Sequence, residues 1–431
     1  MLKEFALGFG DQELKVALPA ERVVQVVEGK HVDPVADVTA AVKEALNKPI
    51  GTPALKKVVA KGDKVAIIVS DVTRSWIRYD LFLPALLDEL NTAGVPDSDI
   101  YLVVGLGAHR HHSDAENVAV FGQEATKRVA IYQSHAQTDE DFAYIGTTSR
   151  GVKTYINKKV TAADKVILTG GIVYHLMGGF GGGRKSIMPG VSGYDTIQGN
   201  HSFCLHDVVG QGISPHCVSG KLEGNNMHED MTEMAAMLKP AFLLNVVLTP
   251  EGKIARFVAG HWYEAWREGC RAVEEIFGVP IAAQADVALA SSGGFPKDIN
   301  LYQGSKTIDN AYLAVKPDGA IIVVMECRDI KEPPDFSGWF EYESLYDREL
   351  ALRKGFTVPG FIALKLGLIA KQMPLIVVSK PENAAFIAKC GMIPATTVEE
   401  ALAIAAEKLG RSDYSITVMP HAANTVPLLK K

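Results

Sequence analysis

Three histidines, at 109, 175 and 201, a lysine at 185 and an arginine at 74 are the side chains whose neighbours best equip them for chemistry. Imidazole gives and takes a proton near neutrality. Guanidinium grips a carboxylate or phosphate with two parallel donors. An amine packed beside another cation loses basicity and gains nucleophilicity. Each group follows an apolar run. Asp71-Val72-Thr73-Arg74 ends KVAIIVS, His109-Arg110-His111-His112 ends IYLVVGLGA, and His175 and Lys185 sit in GGIVYHLMGGFGGGRKSIMPG, which follows KVILT.

Each residue also has a plainer reading. His109 could be a capped core histidine, but two glycines and a strand end favour a site. His111 and His112 are expected to be solvated. His175 is either a core histidine bonded to backbone or an acid/base. His201, near Cys204 and His206, could ligate a metal, although the spacing matches no zinc pattern. Lys185 could be a phosphate ligand, a surface charge or a nucleophile. Glycines crowd the segment from Gly178 to Gly190, as where a chain turns sharply or meets a ligand closely. Gly183-Arg184-Lys185-Ser186 misses the phosphate loop of nucleotide triphosphatases because Arg184 stands where the second glycine belongs. Gly105-Leu106-Gly107 lacks the third glycine of a dinucleotide fingerprint, which counts against an NAD-linked 2-hydroxy-acid dehydrogenase. A non-catalytic phosphate- or metal-binding protein is the remaining alternative. Further along, the Gly293-Gly294 turn leads to Tyr302-Gln303-Gly304-Ser305-Lys306, where Lys306 either caps a helix or faces a ligand.

The elements that must position these residues follow from periodicity. KVAIIVS, IYLVVGLG and KVILTGG are unbroken apolar runs, as buried parallel strands are. YDLFLPALLDELNTAG between the first two reads as a helix closed by Gly94. In open α/β sheets ligands bind beyond the carboxyl ends of strands, so the three groups should gather at one sheet edge. A second unit follows, with DVALASSGG, AIIVVMEC, PLIVVS and YSITVMP as strands and SKTIDNAYLAV and TVEEALAIAAEKLG as helices. The fold class is α/β: two domains with mainly parallel sheets, 1–275 carrying the loop and histidines and 276–431 Rossmann-like, with the site in the cleft between them. A length of 431 residues suits two domains. A net charge of −6 argues against nucleic acid. No apolar run is long enough for a membrane helix, no signal peptide is evident, and five scattered cysteines suit a reducing cytoplasm.

Together these pieces resemble the nickel-dependent lactate racemase family. The resemblance rests on D-x-T-R (Asp71, Thr73, Arg74), G-x-H-R (Gly107, His109, Arg110), the His175-to-Lys185 loop, Asn200-His201, and the Tyr302, Gln303, Lys306 pattern. It implies a nickel-pincer nucleotide, a pyridinium-3,5-bisthiocarboxylate mononucleotide tethered covalently at Lys185, with His201 completing the metal coordination. It also implies cofactor contacts from Asp71, Val72, Thr73 and Arg74, catalytic bases at His109 and His175, and substrate binding by Arg74, Gln303 and Lys306. The reaction implied is inversion at C2 of a small 2-hydroxy acid by hydride transfer to and from the cofactor, in a chain served by cofactor-building accessory proteins. Ala108 stands where many lactate-specific members have threonine, so the substrate could be a larger acid.

Overall fold

The structure, a computed structural model, describes residues 1–138 and 141–429. Its contacts divide the chain into two compact units. The first comprises residues 31–204 and 216–276; the second comprises 1–30, 205–215 and 277–431.

The first unit is built on a six-stranded sheet. Its spatial order is Ile254–Gly260, Phe242–Leu248, Lys165–Gly171, Val65–Ser70, Ile100–Gly107, Ala130–His135. Only the Phe242–Leu248/Ile254–Gly260 pair is antiparallel. Ile67, Ile167, Leu102 and Leu244 are fully or almost fully buried and share one core with Phe82, Leu86 and Leu90 of the helix Tyr79–Thr92. That is why the apolar runs lack alternation: both faces of these strands are covered. Val65–Ser70 comes first in the chain. The next two strands extend the sheet to one side, and Lys165–Gly171 starts the other. The order therefore reverses between Val65–Ser70 and Lys165–Gly171, and an open sheet has its ligand crevice beyond such a reversal.

The second unit repeats this logic in the order Ile393–Ala395, Leu375–Val378, Val315–Val324, Ala285–Ser291, Ile416–Met419, Val23–Val26, all parallel. Here the division differs from the expected 1–275 and 276–431. The later crossing falls at Ile276–Phe277, but residues 1–30 and 205–215 group with 277–431. The cause is visible in the pairing. Val23–Val26 adds to the sheet beside Ile416–Met419. The hairpin of Leu2–Phe9 and Gln12–Pro19 buries Phe5, Leu7, Val16 and Leu18 against Val287, Leu289 and Val418. Residues 205–215 are held by Glu349, whose carboxylate accepts from the N–H groups of Gly210 (2.9 Å) and Gly212 (2.8 Å), and by Arg353, which donates to the His206 carbonyl (2.6 Å). Such pairing joins segments remote in sequence, which periodicity cannot register. No helix among the described residues is long and apolar enough to cross a membrane.

Candidate active site

The three strand-end groups meet at one edge of the first unit's sheet, because Lys165–Gly171, Val65–Ser70 and Ile100–Gly107 are consecutive parallel neighbours. Asp71 follows the middle strand and is almost wholly buried. One carboxylate oxygen lies 2.5 Å from His109 Nδ1; the other accepts from Thr73 Oγ1 at 2.7 Å and from Arg74 Nη1 at 3.0 Å. Burial raises the Asp71 carboxyl, but the bonds from His109 and Thr73, with the charges of His109 and Arg74, outweigh it and leave the group below its usual range. Asp71 is therefore a carboxylate at neutral pH.

His112 departs from expectation. His111 is exposed and stacks on His135, but His112 is buried, not solvated. Its Nε2 accepts from the Val72 N–H at 2.7 Å and its Nδ1 faces Asn117 Oδ1 at 3.0 Å. It thus props the turn that carries Asp71 and Arg74. Nothing in the local pattern signals this, since the partner Val72 is far back in the chain.

The glycine segment folds as a short antiparallel pair, Tyr174–His175 with Gly179–Phe180, then a tight turn through Gly183–Ser186. Arg184 is its internal anchor. The guanidinium is fully buried, donates to the carbonyls of Gly178 (2.7 Å) and Phe180 (2.8 Å) and to His228 Nδ1 (3.1 Å), and lies 4.0 Å from the Trp266 ring centre. Burial lowers its pKa to about 9. Trp266 Nε1 donates to the Gly181 carbonyl (2.9 Å), and Asn245 Oδ1 accepts from the Gly183 N–H (2.8 Å). Gly183 adopts φ +53°, and a Cβ there would meet the Trp266 ring at 2.5 Å. At the far end, the Gly107 N–H donates to the Gly190 carbonyl (2.9 Å), which joins the His109 turn to the loop.

Within this frame His175 is half-buried, and its Nδ1 accepts from the N–H groups of Met177 (3.2 Å) and Gly178 (3.1 Å). Burial, then the charges of Lys185, Arg74, Arg184 and His201, hold its pKa well below the ordinary imidazole value. His175 thus lies within electrostatic reach of Arg74, Lys185 and His201. The Lys185 amine is pushed down to about 7, by burial first and then by Arg184 and Arg74. The cation beside it therefore contributes, but desolvation contributes more. His201, on the helix Tyr194–Ser202, is buried. Its Nδ1 meets the Ile197 carbonyl at 2.9 Å, and burial with the Lys185 charge lowers its pKa to about 3. A neutral ring with Nδ1–H so engaged carries its lone pair on Nε2, the state a metal ligand needs.

Gln303 and Lys306 lie in the second unit, one turn apart on the helix Leu301–Ala314, and Lys306 Nζ donates to Gln303 Oε1 at 3.2 Å. Asn300 caps that helix by accepting from the Gln303 N–H. All five cysteines are buried and none is in a disulfide. Sequence reasoning did not single out Trp266, His228 or Asn245. The strand FLLNVVL does offer a signal: Asn245 is a lone amide in an apolar run, and buried amides are bonded to something specific.

The family model described as the lactate racemase N-terminal domain matches residues 9–212, and that of the lactate racemase C-terminal domain matches 281–426. A lactate racemase of Thermoanaerobacterium thermosaccharolyticum is 32% identical over 427 residues, covering 97% of this chain and 98% of that protein. A lactate racemase of Lactiplantibacillus plantarum is 36% identical over 289 residues, covering 67% and 66%. The structure of the Thermoanaerobacterium thermosaccharolyticum lactate racemase apoprotein superposes with a TM-score of 0.87 at 30% identity, covering all of both chains. A Thermotoga maritima protein, 16% identical with a TM-score of 0.63 over 93% of this chain and all of that one, shares the fold.

Proposed function

We propose a reaction from one premise: the chain belongs to the lactate racemase family, and is an isomerase. The reaction is inversion at C2 of a 2-hydroxy acid, with lactate as the first candidate and related, larger acids as the alternative. The observation that carries this reading is the Asp71–His109 pair at 2.5 Å, joined through Arg74 to a locality holding a second imidazole, His175.

Direct removal of the C2 proton beside a carboxylate is very difficult. A hydroxyl proton is far easier to take, if C2 loses hydride at the same time. Two features of the chain fit a nickel-pincer nucleotide as the hydride acceptor. An amine with pKa about 7 is largely a neutral nucleophile at physiological pH, suited to a covalent tether at Lys185. His201 is a neutral, oriented imidazole. His201 would hold the nickel of such a group, and Lys185 its tether. When bound, that group supplies a reversible site for hydride.

The chain's own residues do the rest. His109 takes the hydroxyl proton, with Asp71 stabilising the resulting imidazolium. His175 serves the other face. Arg74 holds the substrate carboxylate while the flat 2-keto acid turns its other face to the hydride; a substrate-binding role for Gln303 and Lys306 rests on the family resemblance alone. The Asp71 carboxylate accepts from Thr73 and Arg74 and faces His109, which fixes the turn from Asp71 to Arg74 that would contact the cofactor.

The test is to produce the chain together with cofactor-building accessory proteins, confirm a mass adduct that Lys185→Ala abolishes, and incubate it with single enantiomers of lactate and larger 2-hydroxy acids. Chiral chromatography should show a racemic mixture from at least one acid. His109→Ala should slow inversion by about a hundredfold to ten-thousandfold. Loaded protein that inverts none of the acids would overturn the reading.

A further inference from the structure

The two imidazoles are not equivalent. We propose that they are held in opposite tautomers, His109 by the Asp71 carboxylate and His175 by two backbone N–H groups, so that one presents a proton-accepting nitrogen and the other a proton-donating one. This rests on the reaction proposed above.

The argument is one of donors and acceptors. A carboxylate only accepts, so the short contact between Asp71 and His109 Nδ1 requires the proton on Nδ1. The neutral ring then carries its lone pair on Nε2. Thr73 and Arg74 donate to the second oxygen of Asp71 and hold its plane. At His175 the roles reverse. The N–H groups of Met177 and Gly178 can only donate, so Nδ1 must carry the lone pair and the single proton lies on Nε2. A second proton on Nδ1 would break both bonds, which agrees with the depressed basicity of this ring.

The consequence concerns the first proton transfer. A substrate hydroxyl facing His109 gives its proton to Nε2; the O–H electron pair becomes the second bond of the C=O group as the C2–H pair leaves as hydride to the bound acceptor. Asp71 faces the new imidazolium. A hydroxyl facing His175 meets an N–H and receives a hydrogen bond from it. Asp71 is therefore a positioning residue acting through His109.

Full-length chain without cofactor, carrying 15N-histidine, tests this by long-range proton–nitrogen correlation spectra at neutral pH. His109→Gln and His175→Gln assign the signals. His109 should show a protonated Nδ1 and a bare Nε2, and His175 the reverse. Asp71→Asn offers an amide donor to Nδ1 and should flip His109 to the Nε2–H form while His175 keeps its pattern. Asp71→Ala, the second variant, should leave His109 a mixture of both forms. In loaded enzyme, Asp71→Asn should lower the rate of inversion by about a hundredfold to ten-thousandfold with the Lys185 adduct retained. The same tautomer at both rings, or a His109 pattern indifferent to Asp71→Asn, would refute the proposal. The spectra need no turnover, so a chain inactive on every acid leaves this result standing, and the converse holds.

Discussion

Lys185 carries the clearest residue-scale prediction. Its amine has a pKa of about 7, against an ordinary value of 10.5. In the chain without cofactor, acylation at Lys185 should rise through about pH 7 and level off above it, whereas exposed lysines keep gaining reactivity to much higher pH. Mass spectrometry of peptides after a brief acylation pulse reads both. The folded chain also binds fewer protons at this position than the unfolded one between about pH 7 and the ordinary value, so the group's contribution to stability improves as pH rises through that window. Arg184 is a different case. Arg184→Met removes the donor to the carbonyls of Gly178 and Phe180 and to the His228 ring nitrogen. The Gly178 carbonyl keeps the Phe180 N–H (2.8 Å) and the His228 nitrogen keeps Thr232 Oγ1 (3.4 Å), so at about 1–3 kcal/mol for a buried unsatisfied group the loss should be at least about 1 kcal/mol, measured as a lowered denaturation midpoint.

At the scale of elements, the site is a set of strand ends and one loop pressed together. The loop's path depends on Gly183, where both the left-handed backbone and the Trp266 ring exclude a side chain. Gly183→Ala should destabilise the chain by about 2–4 kcal/mol, from backbone strain and overpacking, and hydrogen exchange at 178–186 should accelerate more than in the sheet. Loss confined to the sheet would contradict this account of the loop. The convergence itself was legible beforehand: KVAIIVS, IYLVVGLG and KVILTGG read as buried parallel strands, and the groups after them share an edge because the strands are neighbours. The buttresses were not legible. His112 looks like one more polar residue in a histidine run until the Val72 N–H is seen on its Nε2.

At the scale of the molecule, the two units interleave along the chain. Residues 1–30 supply an edge strand and a hairpin to the second unit's core. A chain beginning at residue 31 would leave Val287, Leu289 and Val418 without Phe5, Leu7, Val16 and Leu18. At about 1.5–3 kcal/mol for each of the four buried side chains, that is comparable to the whole stability of many domains. Limited proteolysis should then cut within 277–431 first while 31–204 stays protected. Equal protection of both would show that the hairpin adds little.

Sequence alone determined what is local and periodic: the α/β class, the buried strands, the residues that follow them, and a motif order specific enough to indicate the family. Tertiary structure alone decided what depends on contacts between distant segments. It set the grouping of residues 1–30 and 205–215 with the second unit, the burial that lowers the basicity of Lys185, and the partner on each imidazole's Nδ1. Periodicity reports which face of an element is covered, but a proton's place on a ring is set by the group that reaches it, and for His109 that group comes from another strand.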